Sequence, residues 1–91
     1  MVTGIVLITV ERQLLKEVIK EVLELDGVTE VYSVAGEYDL VAMVRVRDNA
    51  KLSEIVADKM PRQIRGITHT KTLVTLTTHS KFDIESLFHL K

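Results

Sequence analysis

One four-residue junction occurs twice in this chain, and it sets the order of everything around it. Asp26-Gly27-Val28-Thr29 and Arg65-Gly66-Ile67-Thr68 each join a stretch of helical period to a stretch of strand-like residues. Upstream of the first junction, Thr3 to Val10 is a largely β-branched run and reads as a strand. From Glu11 to Leu25 the period changes. Leu15, Val18, Ile19, Val22 and Leu25 fall on one helical face, and Lys16, Glu17, Lys20, Glu21 and Glu24 cover the other. Gly27 follows as a left-handed C-terminal cap. Val28 to Ala35 and Leu40 to Arg47 read as the second and third strands. Asp48 or Asn49 caps a second helix that turns Leu52, Ile55 and Val56 inward, and Ile67 to Thr77 is the fourth strand. Pro61 is expected to break or kink the second helix near Met60 and to leave Arg62 to Arg65 as a looser turn.

The order is strand-helix-strand, twice. Two right-handed units of this kind meeting in one sheet predict an α+β fold, a ferredoxin-like βαββαβ sandwich. Its four-stranded antiparallel sheet carries two helices on one face, and a short C-terminal tail follows. In that tail Asp83 can cap a short helix burying Leu87 and Phe88, or the segment packs as an extended arm on a neighbouring subunit. At 91 residues the chain is read as a single domain, residues 1–91, and 46% hydrophobic residues suffice for a core without staples. There is no cysteine, so disulfides and thiolate metal sites are excluded. Twelve basic against thirteen acidic residues argue against direct nucleic-acid binding as the main role. The opening MVTGIVLITVERQ lacks a basic leader, a cleavage site and the length of a membrane span, which predicts a soluble, cytoplasmic protein.

Two helices cover one face of such a sheet, so the strands should alternate apolar and polar. Here both faces are apolar. Val6, Ile8 and Val10 point one way and Ile5 and Leu7 the other; Leu40, Ala42, Val44 and Val46 oppose Val41 and Met43. A bare apolar face on the central strands predicts a homodimer packed sheet to sheet. Each strand side chain withdrawn from water contributes roughly 1.5–3 kcal/mol to that association. The alternative cover for this face is the C-terminal tail.

Between the second and third strands lies Gly36-Glu37-Tyr38-Asp39. Gly36 permits positive φ or close approach of a ligand to the backbone. The loop amides suit a carboxylate, Glu37 or Asp39 an ammonium, and Tyr38 an apolar side chain. Together these match a free amino acid. The same residues also make a plain turn, with Gly and Asp chosen for conformation. Glu37 and Asp39 as an acid–base pair lack a nucleophile or phosphate loop beside them. His69, His79 and His89 lack metal-ligand spacing, so neither metal nor cofactor is expected. Lys59, Arg62 and Arg65 read as a solvated helix end.

Val34-Ala35-Gly36-Glu37-Tyr38-Asp39-Leu40 followed by VAMVRV, with Gly66-Ile67-Thr68-His69-Thr70-Lys71-Thr72 in the last strand, resembles the effector domain of the Lrp/AsnC family. This is the RAM domain (regulation of amino acid metabolism), and the resemblance covers about residues 2–77. It implies a non-enzymatic, amino-acid-sensing domain that dimerises through its sheets and assembles as a ring of dimers, often an octamer. In the family the amino acid sits at dimer–dimer contacts near the loop and the last core strand. Carried over, the ligand-binding candidates are Gly36, Glu37, Tyr38, Asp39, Thr70 and Thr72. Full family members place a helix-turn-helix before this domain, whereas here the first strand begins almost at Met1. The chain therefore resembles a stand-alone effector domain, acting on assembly or on a DNA-binding Lrp/AsnC regulator as partner. The family's Leu-Pro-Gly before the last strand is Ile64-Arg65-Gly66 here, with the proline earlier at Pro61. Two other functions remain open. One is a purely structural oligomerisation module. The other is an enzyme on a ferredoxin-like dimeric fold, which needs a buried polar cluster that Val6, Ile8, Val44 and Val46 do not supply.

Overall fold

Four strands and two helical stretches form in the expected order. The structure, a computed structural model, describes residues 1–81. The tail helix expected from Asp83 therefore lies outside the described residues. The elements are β1 (Val2–Val10), a 3₁₀ turn (Arg12–Leu14), α1 (Leu15–Leu23), β2 (Val28–Ser33) and β3 (Leu40–Val46). They are followed by α2 (Asn49–Ser53), a π-type turn (Glu54–Lys59), α3 (Met60–Gln63) and β4 (Ile67–Val74). The sheet order is β2-β3-β1-β4, and every neighbouring pair is antiparallel. This is the ferredoxin-like α+β arrangement, with β1 and β3 central as expected.

Strand register assigns every side chain to a face. Val6 pairs with Ala42 and Thr72, and Ile8 with Leu40 and Thr70; these lie on the helix-covered side. Val6, Ile8, Leu40, Ala42 and Val44 are fully buried there against Val18 and Val22 of α1 and Leu52, Ile55, Met60 and Ile64 of the second helical stretch. Ile5, Leu7, Val41 and Met43 point to the other side and are only half-buried. They are joined by Tyr32, 53% exposed, and Leu73, 45% exposed. The predicted surplus of apolar side chains on the uncovered face is therefore present. Polar groups interrupt it, among them Lys71 and His69 on β4 and Arg45 on β3, which donates to Glu30 at 2.6 Å and also to the Thr29 hydroxyl.

The second helix differs from the expectation at its proline. It does not end at Met60 but runs on to Gln63, with Met60 still helical at φ −58°, ψ −55°. The turn before it is widened: the Met60 N–H donates to Ile55 O, five residues back. Proline breaks an ordinary helix because it lacks an N–H and its ring meets the carbonyl four residues earlier. A π-type turn relaxes the spacing at that point, and Pro61 then opens α3 near its N-terminus, where no donor is required. At the other end Asp48, not Asn49, is the cap, its carboxylate accepting from the Lys51 N–H at 2.8 Å.

Candidate functional site

The loop of residues 34–39 closes on itself and on β1 through three hydrogen bonds, all made by Asp39. Val34 N–H donates to Asp39 O at 3.0 Å, and Asp39 N–H donates to Ile8 O at 2.9 Å. The Asp39 carboxylate then accepts from Val10 N–H at 2.9 Å through Oδ2. The pairing of β1 with β4 shifts register between Thr9 and Val10, and Glu11 N–H donates to Gly66 O at 2.8 Å. Past Ile8, β3 has no backbone left to offer β1, and the side chain of Asp39 takes its place. This carboxylate is a clamp as well as a candidate ligand group. Asp39→Ala should strand a part-buried N–H and lower stability by about 1–3 kcal/mol. Asp39→Asn, which keeps an oxygen acceptor, should lose less. Urea denaturation of the two variants checks this, and full stability in Asp39→Ala would remove the clamp.

The other loop residues are free of such duties. Gly36 has φ +129°, and a Cβ built there meets no atom within 4 Å. Backbone conformation alone requires glycine at this point, and the space above it is open. Glu37 is exposed and Tyr38 half-buried, and neither side chain has a hydrogen-bond or ion-pair partner among the described residues. Beside the loop is a recess of about 350 Å³ walled by Arg12, Leu15, Ser33, Ala35, Gly36 and Asp39. Arg12 is the residue that sequence reasoning passed over. It opens the 3₁₀ turn that leads out of β1, and no acid within the described residues pairs with it. The signal available was its place, two residues past the end of the strand whose last amide Asp39 holds.

Thr70 and Thr72 lie elsewhere. They sit on edge strand β4, opposite Ile8 and Val6. β1 separates them from β3, about two strand spacings or roughly 10 Å. Within one subunit the loop and the threonines line no common recess. Thr72 instead lines a recess of about 490 Å³ with Leu52, Val56 and Val74. A third recess, about 380 Å³, lies at the opposite end of the sheet from the loop, beside Met1, Gly27, Val46 and Arg47. Near it Lys51 is raised above its ordinary pKa by its hydrogen bond to Glu54, which is itself lowered by that bond. Both are surface groups remote from the loop. No cluster of three His, Cys, Asp or Glu able to hold a metal occurs among the described residues. No helix of the described residues is long and apolar enough to cross a membrane.

Comparison with known proteins places this geometry among others. The family description "Lrp/AsnC ligand binding domain" matches residues 3–83. An HTH-type transcriptional regulator of Pyrococcus horikoshii is 41% identical over 63 residues, 69% of this chain and 41% of that protein. The chain thus spans about two-fifths of the length of that relative. Among solved structures, TTHA0845 from Thermus thermophilus superposes with a TM-score of 0.82 at 34% identity, covering 89% of this chain and all of the other. AsnC of E. coli superposes with a TM-score of 0.81 at 25% identity, over 92% of this chain and 56% of the other.

Proposed function

Because the chain belongs to the Lrp/AsnC ligand-binding domain family, we propose that it senses a small amino acid and converts occupancy into a change of assembly. The observation that supports this reading most directly is the recess beside residues 33–39. Its volume, about 350 Å³, is at the low end of ligand pockets, which run from roughly 300 to 1,000 Å³. It sets Arg12, a cation with no acidic partner among the described residues, beside an open backbone at Gly36. Arg12 takes the ligand carboxylate, and its planar fork suits two-point binding. Glu37 and Tyr38 follow Gly36 on the same loop but do not wall the recess, and in this reading they reach the ammonium and the side chain from its rim. Asp39 positions the loop rather than contacting the ligand first. Thr70 and Thr72 contribute from a neighbouring dimer, since their own subunit holds them apart from the loop.

In this reading two subunits pair through the uncovered sheet faces, and dimers join as a ring, often of four dimers in the family. The signal reaches transcription through the assembly or through a DNA-binding Lrp/AsnC regulator. A ligand shifts assembly only by binding one state better than another, which a site shared between dimers provides.

Calorimetry of the twenty amino acids against the assembled full chain tests the proposal. At least one should bind, and Arg12→Ala should weaken it by at least about tenfold, the loss of one charge-assisted hydrogen-bonding group. Because Arg12 is exposed, the thermal midpoint should stay put. If none of the twenty binds, sensing is excluded and the second reading stands. That reading, a structural oligomerisation module, is favoured by the apolar uncovered face alone. It predicts sedimentation unaffected by any amino acid.

A further inference from the structure

We propose that the recess at the end of the sheet opposite the loop is a second binding site. It takes a short aliphatic carboxylate, with the carbon chain buried in the recess and the anion held by Arg47. The recess follows from unequal strand lengths. Pairing of β2 with β3 begins at Val28 and Val44. The last backbone bond from that side is the Arg45 N–H donating to Gly27 O at 2.7 Å. Beyond it Val46 has a strand partner only in β1, where it pairs with Val2. The corner left beside Val46 is a recess of about 380 Å³ lined by Met1, Gly27, Arg45, Val46, Arg47 and Lys51, with Asp48 completing it. Its walls are mostly apolar.

The charges around it are engaged to different degrees. Arg45 donates to Glu30 at 2.6 Å, and Lys51 to Glu54 at 2.8 Å. The Asp48 carboxylate caps its helix through the Lys51 N–H. Arg47 is exposed and makes no ion pair among the described residues. Three cations and one acid thus border an apolar hollow, and one cation is left to bind. This complements a molecule with an apolar chain and a single terminal anion. A guanidinium holds a carboxylate by two parallel hydrogen bonds, and the long stems of arginine and lysine cover apolar carbon. A neutral hydrocarbon leaves Arg47 unused, and an amine is repelled. The volume lies near the low end of ligand pockets, roughly 300 to 1,000 Å³, so the chain is short. The recess beside the loop differs in kind, being mostly polar and remote, so the two sites fill independently.

Calorimetry of the full chain against butanoate, hexanoate and octanoate tests this, with backbone amide shifts locating the site. Affinity should rise about fourfold for each methylene withdrawn from water. The amides of Gly27, Val46, Arg47 and Lys51 should shift, and octylamine should not bind. Arg47→Gln should weaken octanoate about tenfold, through loss of the charge-assisted contact, and Arg47→Lys should recover part of that loss. Because Arg47 is exposed, neither change should move the thermal midpoint. Absence of saturable octanoate binding overturns the proposal. So does equal affinity for octanoate and octylamine, or unaltered affinity in Arg47→Gln, either of which reduces the recess to unspecific apolar surface. Shifts confined to Leu7, Val41 and Met43 also overturn it, placing the carboxylate on the uncovered sheet face.

Discussion

Replacing Gly27 by valine is expected to be the most damaging single change in this protein, at about 2–6 kcal/mol, summed from backbone strain and overpacking of roughly 1–3 kcal/mol each. Gly27 has φ +93°, and a Cβ there would stand 2.7 Å from Val46 Cγ1 and 3.0 Å from Ile55 Cδ1. Its carbonyl accepts from Arg45 N–H at 2.7 Å, so the backbone cannot swing away without opening the end of β3. The residue sits where α1, β3 and the second helix converge. A β-branched side chain there is both strained and without room. Typical domains have only about 5–15 kcal/mol of stability in total, so the variant should be marginally folded. Gly36→Val is the matched control. It has a positive φ of +129° but no atom within 4 Å, so it bears strain without a clash. Denaturant midpoints of the two variants at one protein concentration should differ by the packing contribution. Equal midpoints would mean that the Val46–Ile55 contact relaxes freely.

Leu7→Glu is expected to abolish the proposed sheet-to-sheet dimer while sparing the subunit. Leu7 is half-buried at the middle of the uncovered face, between Val41 on β3 and Lys71 on β4. In a lone subunit the new carboxylate has water on one side and the Lys71 ammonium beside it, a favourable cross-strand pair. In the dimer it would lose its hydration against a second apolar sheet. Lost burial and desolvation of the carboxylate together cost about 3 kcal/mol per subunit. Both subunits carry the change, so the dissociation constant should rise on the order of 10⁴-fold. Sedimentation velocity should show monomer mass with an unchanged far-ultraviolet circular dichroism spectrum. An unaltered mass would place the interface elsewhere. The Arg45–Glu30 pair on the same face, with side chains 11% and 25% exposed, is one polar mark that a partner sheet must accommodate.

Much of the fold was legible because periodicity is a local property. The alternation in Leu40–Val46 and the 3.6-residue spacing of Val18 and Val22 each assign a buried face without knowledge of a partner. Pro61 was legible as a disturbance of the helix near Met60, but that the chain stays helical through Gln63 beyond it was not. Its effect depends on whether the preceding turn can widen, and that is decided by how Ile55 and Met60 pack in the core. The loop was legible as a place but not as a division of labour. Asp39 looked like a ligand group because its sequence neighbours are polar, yet its carboxylate serves Val10, twenty-nine residues away. Arg12 belonged to a different element in the sequence and joined the loop only through the β1–β3 pairing.

Sequence by itself determined the element order, a helix cap at Asp48 or Asn49, the two junction glycines and the apolar surplus on both faces of the central strands. Each is dictated by residue type at fixed short spacing, where local conformational preference and side-chain alternation act. Tertiary structure alone decided which charges meet at the loop, that β1 stands between the loop and Thr70 and Thr72, and that a proline could stay inside a helix. These depend on strand order, register and packing between residues distant along the chain, which local preferences do not encode.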